Sequence, residues 1–183
     1  MSTSARPALL LSRAGWRETT VLLVVAGLVP FLVHLLPWSG HRPLGAYVLP
    51  VFWTTFLAVY FRGAVTGLLV GLVTPVINLL VTGLPVSLTV GSMSLEVIFF
   101  VLAAALLVRR WSGWWVVAPL AWVAAKGLAI TVQYFIPAFA EHDYPWQHLA
   151  RSTQNGLAGL AVLAVINLLL VMFYPKTDEW EKE

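Results

Sequence analysis

Residues 63–85 read GAVTGLLVGLVTPVINLLVTGLP, and the nearest charge on either flank is Arg62. A bilayer core requires about 20 apolar residues of helix at about 1.5 Å rise each, so this uncharged stretch is long enough to cross a membrane. It places Gly63, Gly67 and Gly71 four residues apart, followed by Pro75, Asn78 and a Thr-Gly-Leu-Pro exit. The glycines leave one side of the helix without side chains, which allows a neighbouring backbone to approach closely. Pro75 removes one backbone donor and is expected to kink the helix, which is tolerated where neighbours satisfy the freed carbonyl. Pro30 and Pro50 repeat this arrangement in the two preceding spans, and Ala121, Ala125 and Ala129 offer a second small stripe further on.

The rest of the chain has the same character. Of its 183 residues, 60% are hydrophobic and 10% charged, and the mean hydropathy is +0.85. Soluble domains are about a quarter charged, so the composition points to an all-α integral membrane protein. Six stretches qualify as spans: 19–37, 44–61, 63–82, 88–108, 114–136 and 152–174. They fill the chain as a single membrane domain. The runs are continuously apolar and lack period-two alternation, which argues against a barrel. Arg62 and Gly63 alone separate the second span from the third, so these two should form a tight antiparallel hairpin. The first apolar stretch lacks a small-residue cleavage site and reads as a retained span, not a signal peptide.

Basic residues orient the bundle. With the N-terminus in the cytoplasm, that side receives Arg6, Arg13, Arg17, Arg62, Arg109, Arg110, Lys176 and Lys182, while the outer side receives Arg42 and Arg151. This asymmetry predicts six spans with both termini cytoplasmic, in a bacterial plasma membrane. The net charge of +3 thus reports loop topology and not a nucleic-acid partner. Trp38, Trp111, Trp114, Trp115, Trp146 and Trp180 fall near span ends, where indole rings suit the headgroup region of membrane lipid. Trp53 and Trp122 lie deeper and are candidates to face a ligand.

Charged groups at bilayer depth are costly and normally face a bundle interior or a wet cavity. This chain has two, Glu96 in the fourth span and Lys126 in the fifth. They lie roughly 12 Å and 15 Å below the outer ends of their helices. Comparable depth on consecutive antiparallel helices leads to the expectation of an ion pair. That pair is open to three roles: a register-fixing contact, a ligand-facing site or a proton relay. His34, Asn78, Gln133, Gln154 and Asn155 lie toward the same outer side, while Asn167 sits in the inner half as an interhelical hydrogen bond. Helical spacing puts Trp122, Lys126, Ile130 and Gln133 on one stripe, Ser92, Glu96 and Ala103 on another, and Gly71, Pro75, Asn78 and Thr82 on a third. Such stripes would line a cavity open to the outside, suited to a small polar ring compound held by stacking and directional hydrogen bonds. The candidate substrate-binding residues are therefore Glu96, Lys126, Asn78, Gln133, Asn155, His34, Trp53 and Trp122.

Several chemistries are excluded or unsupported. Cysteine is absent, so disulfides, thiolate metal sites and cysteine nucleophiles are ruled out. No G-x-x-x-x-G-K-[ST], H-E-x-x-H or G-x-S-x-G motif occurs, which leaves no P-loop of the chain's own and no support for a metalloprotease or hydrolase. His34, His41, His142 and His148 match no metal-ligand spacing, and neither a cofactor nor a catalytic role is expected.

Short helices in under 200 residues, an outward polar pocket and a glycine-rich third span running into TGLP at residues 82–85 resemble the substrate-binding S components of energy-coupling-factor (ECF) vitamin transporters. The resemblance covers residues 19–174 in layout and residues 63–85 in sequence. It implies a six-helix bundle that captures a vitamin or related micronutrient from outside. It also implies a transmembrane coupling subunit driven by two cytoplasmic ATPases. Members of that family often carry an Ala-x-x-x-Ala pair on the first helix for that subunit, whereas this chain has Ala26 and Gly27 followed by Pro30. Two other classes compete: a structural membrane protein resembling the rod-shape-determining subunit MreD, and an intramembrane enzyme using His34 or Glu96 as acid or base.

Overall fold

The computed structural model describes residues 16–35, 37, 39, 44–82, 87–136 and 145–175, and every regular element among them is helical. The helices are α1 (Trp16–Leu35), α2 (Leu44–Val48), α3 (Pro50–Thr82), α4 (Ser87–Arg110), α5 (Val117–Phe135) and α6 (Pro145–Phe173). Three stretches are long and apolar enough to cross a membrane: Pro50–Leu80 with 31 residues, Val90–Arg110 with 21 and Leu149–Phe173 with 25. The outer surface is apolar where that of a water-soluble bundle would be polar, and several polar side chains lie inside. Val24, Leu32, Val65, Leu80, Leu106, Val123, Leu128 and Met172 face outward, while Thr55, Asn78, Glu96, Lys126, Gln133 and Asn167 are buried. Hydrocarbon imposes this arrangement, because polar groups must find partners inside the protein.

The first of the three long stretches is not a straight rod. At Gly63 the backbone leaves the helix with φ 82° and ψ −175°, a region open essentially to glycine alone. Positions equally far from Gly63 on its two sides then meet. A Cβ added at Gly67 would overlap Val59, and one at Gly71 would lie 2.8 Å from Thr55 Oγ1. In an uninterrupted helix Thr55 and Gly71 would be about 24 Å apart. The chain therefore reverses at Gly63, and α3 consists of two antiparallel limbs, 50–62 and 64–82. This is the hairpin expected from the Arg62–Gly63 junction.

The glycine stripe serves two neighbours at once. Added Cβ atoms at Gly67 and Gly71 would also stand 3.5 Å from Val101 Cγ1 and 2.5 Å from Val97 Cγ1 on α4. These contacts run antiparallel, so the Gly63 turn lies at the same end as Arg109 and Arg110. Tyr60 Oη donates to the Tyr174 carbonyl at 2.7 Å, which brings the end of α6 there too. α1 packs on the hairpin through Ala26, fully buried against Ala58 of one limb and Val70 of the other. Ala26 is thus part of the chain's own packing.

Two expectations for the second span change. The stretch 44–61 is not continuous: α2 ends at Val48, and Leu49 adopts φ 54° before α3 begins. Pro50 consequently opens α3 instead of kinking a helix, at a position where a missing N–H has no partner to lose. Positive φ is strained for leucine, and packing holds it in place. Leu49 lies against Gly159 of α6, where a Cβ would come within 2.5 Å of its Cγ. Pro75, by contrast, is accommodated inside α3, where only Gly63 departs from helical angles. The fifth span is shortened to 117–135 because residues 111–116 form turns, and the sixth is extended, with Arg151 inside α6.

The remaining helices close the core. Val97, Phe100, Val101 and Ala104 of α4 pack with Ala118, Ala121, Trp122 and Ala125 of α5 in one cluster with Phe52 and Phe56. The second small stripe, Ala121, Ala125 and Ala129, is wholly buried. α5 starts without a capping side chain of its own, and α6 supplies one. Asn167 Oδ1 accepts from the Ala118 amide at 3.0 Å, and its Nδ2 donates to the Trp114 carbonyl at 2.8 Å. The interhelical bond expected of Asn167 is thus a cap donated across the bundle.

The glycine packing leads to a graded prediction. Gly67→Ala forces a methyl into Val59 and should destabilise the protein by about 1–3 kcal/mol, as overpacking does, with Gly67→Leu worse. Gly91→Ala is the control, since nothing lies within 4 Å of the added Cβ. Melting in detergent checks this: Gly67→Ala should melt well below both the parent and Gly91→Ala.

Candidate functional site

α4 and α5 lie side by side and antiparallel, and each turns one stripe inward. On α5 the stripe includes Ala118, Ala121, Trp122, Ala125, Lys126, Ala129, Ile130 and Gln133. On α4 it includes Ser92, Glu96, Val97, Phe100 and Ala104. The two intramembrane charges meet where the stripes face each other. Lys126 Nζ lies 2.6 Å from Glu96 Oε1, with the two side chains only 10% and 8% exposed. Glu96 is nine residues into α4, so the pair sits roughly 13 Å from that end of the helix. A charge-assisted bond this short offsets part of the desolvation of both groups.

Trp122 extends the pair on one side. Lys126 Nζ lies 5.5 Å from the centroid of its ring, within reach of the quadrupole attraction that a desolvated ammonium feels over indole. The ring is edge-on to Phe52 at 6.4 Å, and Phe52 is in turn edge-on to Phe100 at 5.2 Å. On α6, Gly156 makes room for it, since a Cβ there would stand 3.2 Å from Trp122 Cζ2. The indole Nε1 is buried with no hydrogen-bond partner among the described residues, and the same holds for Thr55 Oγ1. A buried donor left unmade typically costs about 1–3 kcal/mol, so the Trp122 N–H beside the ion pair is the group a bound molecule would benefit, whereas Thr55 Oγ1 is closed off at the Gly71 contact.

Away from the arginine end, the buried polar residues continue in register. The Gly67–Val101 and Gly71–Val97 pairings place Asn78 opposite residue 90 of α4, and the Glu96–Lys126 pairing places Gln133 opposite residue 89. Ser92 lies between that level and Glu96. Asn78, Ser92 and Gln133 are all buried, on three helices, about 6–10 Å beyond the ion pair along the bundle.

The other sequence-derived candidates fall differently. Asn155 is half-buried on α6, beside the Gly156 that abuts Trp122. Trp53 uses its indole N–H on the Val48 carbonyl at 3.0 Å, an acceptor left free because Phe52 N bonds to Leu49 O at the Leu49 break. His34 belongs to the last turn of α1, which packs on α3 and α2; its side chain lies outside the described residues, as do His41, His142 and Trp38. Among the described residues, no three of His, Cys, Asp and Glu gather into a group able to hold a metal ion. Sequence reasoning missed Thr55 and Leu49. For Thr55 a signal existed, since the hairpin expected at Gly63 puts Thr55 and Gly71 at equal distances from the turn. For Leu49 there was none, because its strain is held by distant α6.

No protein-family model, curated protein or solved structure matches the chain. The apolar outer surface and the long apolar helices define a helical membrane protein. Within that class, its distinguishing feature is a buried Glu96–Lys126 pair flanked by an indole.

The burial of the pair makes a prediction for stability. Glu96→Gln or Lys126→Met alone leaves an unpaired buried charge and should cost about 3–5 kcal/mol, whereas the double substitution should recover much of that loss. A double-mutant cycle of melting temperatures checks this, and additive single losses would show that the pair is solvated.

Proposed function

We propose that this protein is a membrane-embedded substrate-binding subunit that captures a small polar ring compound, a vitamin or related micronutrient, from the outer side for uptake. The observation that carries the reading is one convergence. Glu96, Lys126, Trp122, Asn78, Ser92 and Gln133 come from three helices to neighbouring levels of one bundle interior, and the Trp122 N–H there has no partner among the described residues. Ring stacking on the indole, acceptance by Glu96, donation by Lys126 and Trp122, and two-way hydrogen bonding by the amides supply what a heteroaromatic solute needs. Six crossings, both termini in the cytoplasm and a bacterial plasma membrane belong to this proposal. The basic residues and the clustering of Arg62 with Arg109 and Arg110 at one end support it. With no P-loop in the chain, energy for uptake would come from a transmembrane coupling subunit with two cytoplasmic ATPases, as the resemblance to ECF S components implies.

The closed geometry of the ion pair favours a second reading, a structural membrane protein comparable to MreD. Binding separates the two. Mass spectrometry of the detergent-solubilised protein should identify a co-purifying small molecule. Glu96→Gln and Lys126→Met should each weaken its binding, and the double variant should not restore it. Strong stability coupling with binding unchanged would favour the structural role.

Topology is checked separately in this cysteine-free chain. A cysteine at Ser112 should resist an impermeant thiol reagent in intact cells, and one at Asp143 should react. The reverse pattern would overturn the orientation.

A further inference from the structure

The turn between α4 and α5 carries a feature that the buried site does not use. α4 presents Leu102 and Leu106 outward, then ends in the exposed pair Arg109 and Arg110. Immediately beyond, the Trp111 and Trp114 rings stack at 5.3 Å with an interplanar angle of 15°. Trp111, Trp114 and Trp115 are 41%, 54% and 54% exposed. Core burial therefore does not account for these indoles.

The turn is also fixed in place. Trp111 N bonds to Leu107 O at 2.7 Å and Trp114 N to Trp111 O at 3.0 Å, while Asn167 of α6 holds the Trp114 carbonyl. The start of α5 is not itself an anion site. Asn167 occupies the Ala118 amide, residue 119 is proline, and Leu120 N bonds back to Val116 O. The arginines carry the anion attraction.

We propose that Arg109, Arg110 and the Trp111–Trp114 stack form a binding site for the headgroup of an anionic phospholipid, in the leaflet at the arginine end of the bundle. The occupant follows from position and charge. The outward apolar band of α4 ends one turn before the arginines, so they meet the bilayer at phosphate depth. Guanidinium groups pair with phosphate oxygens by charge-assisted hydrogen bonds. Indoles favour the interface where acyl chain gives way to headgroup. Pre-stacked rings on a pinned turn lose little freedom on binding. This assignment rests on the membrane reading alone and is independent of what the bundle interior binds.

Native mass spectrometry of the full chain, released from detergent with equal phosphatidylglycerol and phosphatidylcholine, tests it. The parent should retain phosphatidylglycerol preferentially. Each basic residue near a membrane surface contributes roughly fivefold (about 1 kcal/mol), so Arg109→Gln with Arg110→Gln should reduce that preference by about 10–30-fold. Trp111→Leu should reduce it by a smaller factor. Arg151→Gln, an exposed substitution near the start of α6 at the opposite end of the bundle, should leave it unchanged. A preference untouched by the double arginine variant overturns the site. So does displacement of the lipid by millimolar inorganic phosphate, which would mark a free-anion site. A third contrary result is phosphatidylglycerol binding that appears only after residues 176–183 are removed, because the acidic end of the chain would then be the occupant.

Discussion

Close approach at two glycines sets the position of everything else in this bundle. The limbs of α3 and the face of α4 converge on Gly67 and Gly71, where no side chain larger than hydrogen fits between Val59, Thr55, Val97 and Val101. In hydrocarbon, apolar contact gives helices little reason to associate, because lipid tails solvate leucine as well as leucine does. Tight backbone packing and internal polar contacts must supply that attraction. The glycine contacts fix the rotation of α4, and that rotation aims Glu96 at α5.

From there the polar groups act in sequence. Lys126 Nζ has the Glu96 carboxylate 2.6 Å away and the Trp122 ring alongside. Once paired, the two charges lock α5 against α4. Asn167 ties α6 to the beginning of α5 through two backbone groups, the Ala118 amide and the Trp114 carbonyl. Leu49 anchors the chain leading into α3 on the glycine face of α6. The same contacts that hold the bundle together therefore surround the candidate site, and substitutions there will affect stability.

The two ends of the bundle differ in kind. Toward the start of α4 the interior is polar, with Asn78, Ser92 and Gln133 at neighbouring levels. Toward the other end the interior is filled by Phe56, Tyr60, Phe100 and Ala104, while charge and indole move to the outside at Arg109–Arg110 and Trp111–Trp115. The ion pair lies between the polar part of the interior and the packed aromatic part.

The sequence by itself determined the helical class, the hairpin at Gly63, the small-residue stripes and the pairing of Glu96 with Lys126. Each follows from local chemistry. Uncharged runs must be helical in hydrocarbon, only glycine tolerates the backbone at the turn, and two charges at equal depth on adjacent helices have no better partner than each other. Tertiary structure alone decided the break at Leu49 and the true place of Pro50, because the strain there is held by α6, far away in sequence. It also decided that Trp53 serves a stranded carbonyl while Trp122 does not. An indole's role depends on which acceptor the fold leaves free, and composition and spacing do not encode that. Asn167 was legible as an interhelical hydrogen bond, but not as the cap of α5, since a cap supplied from another helix has no local signature at the helix it completes.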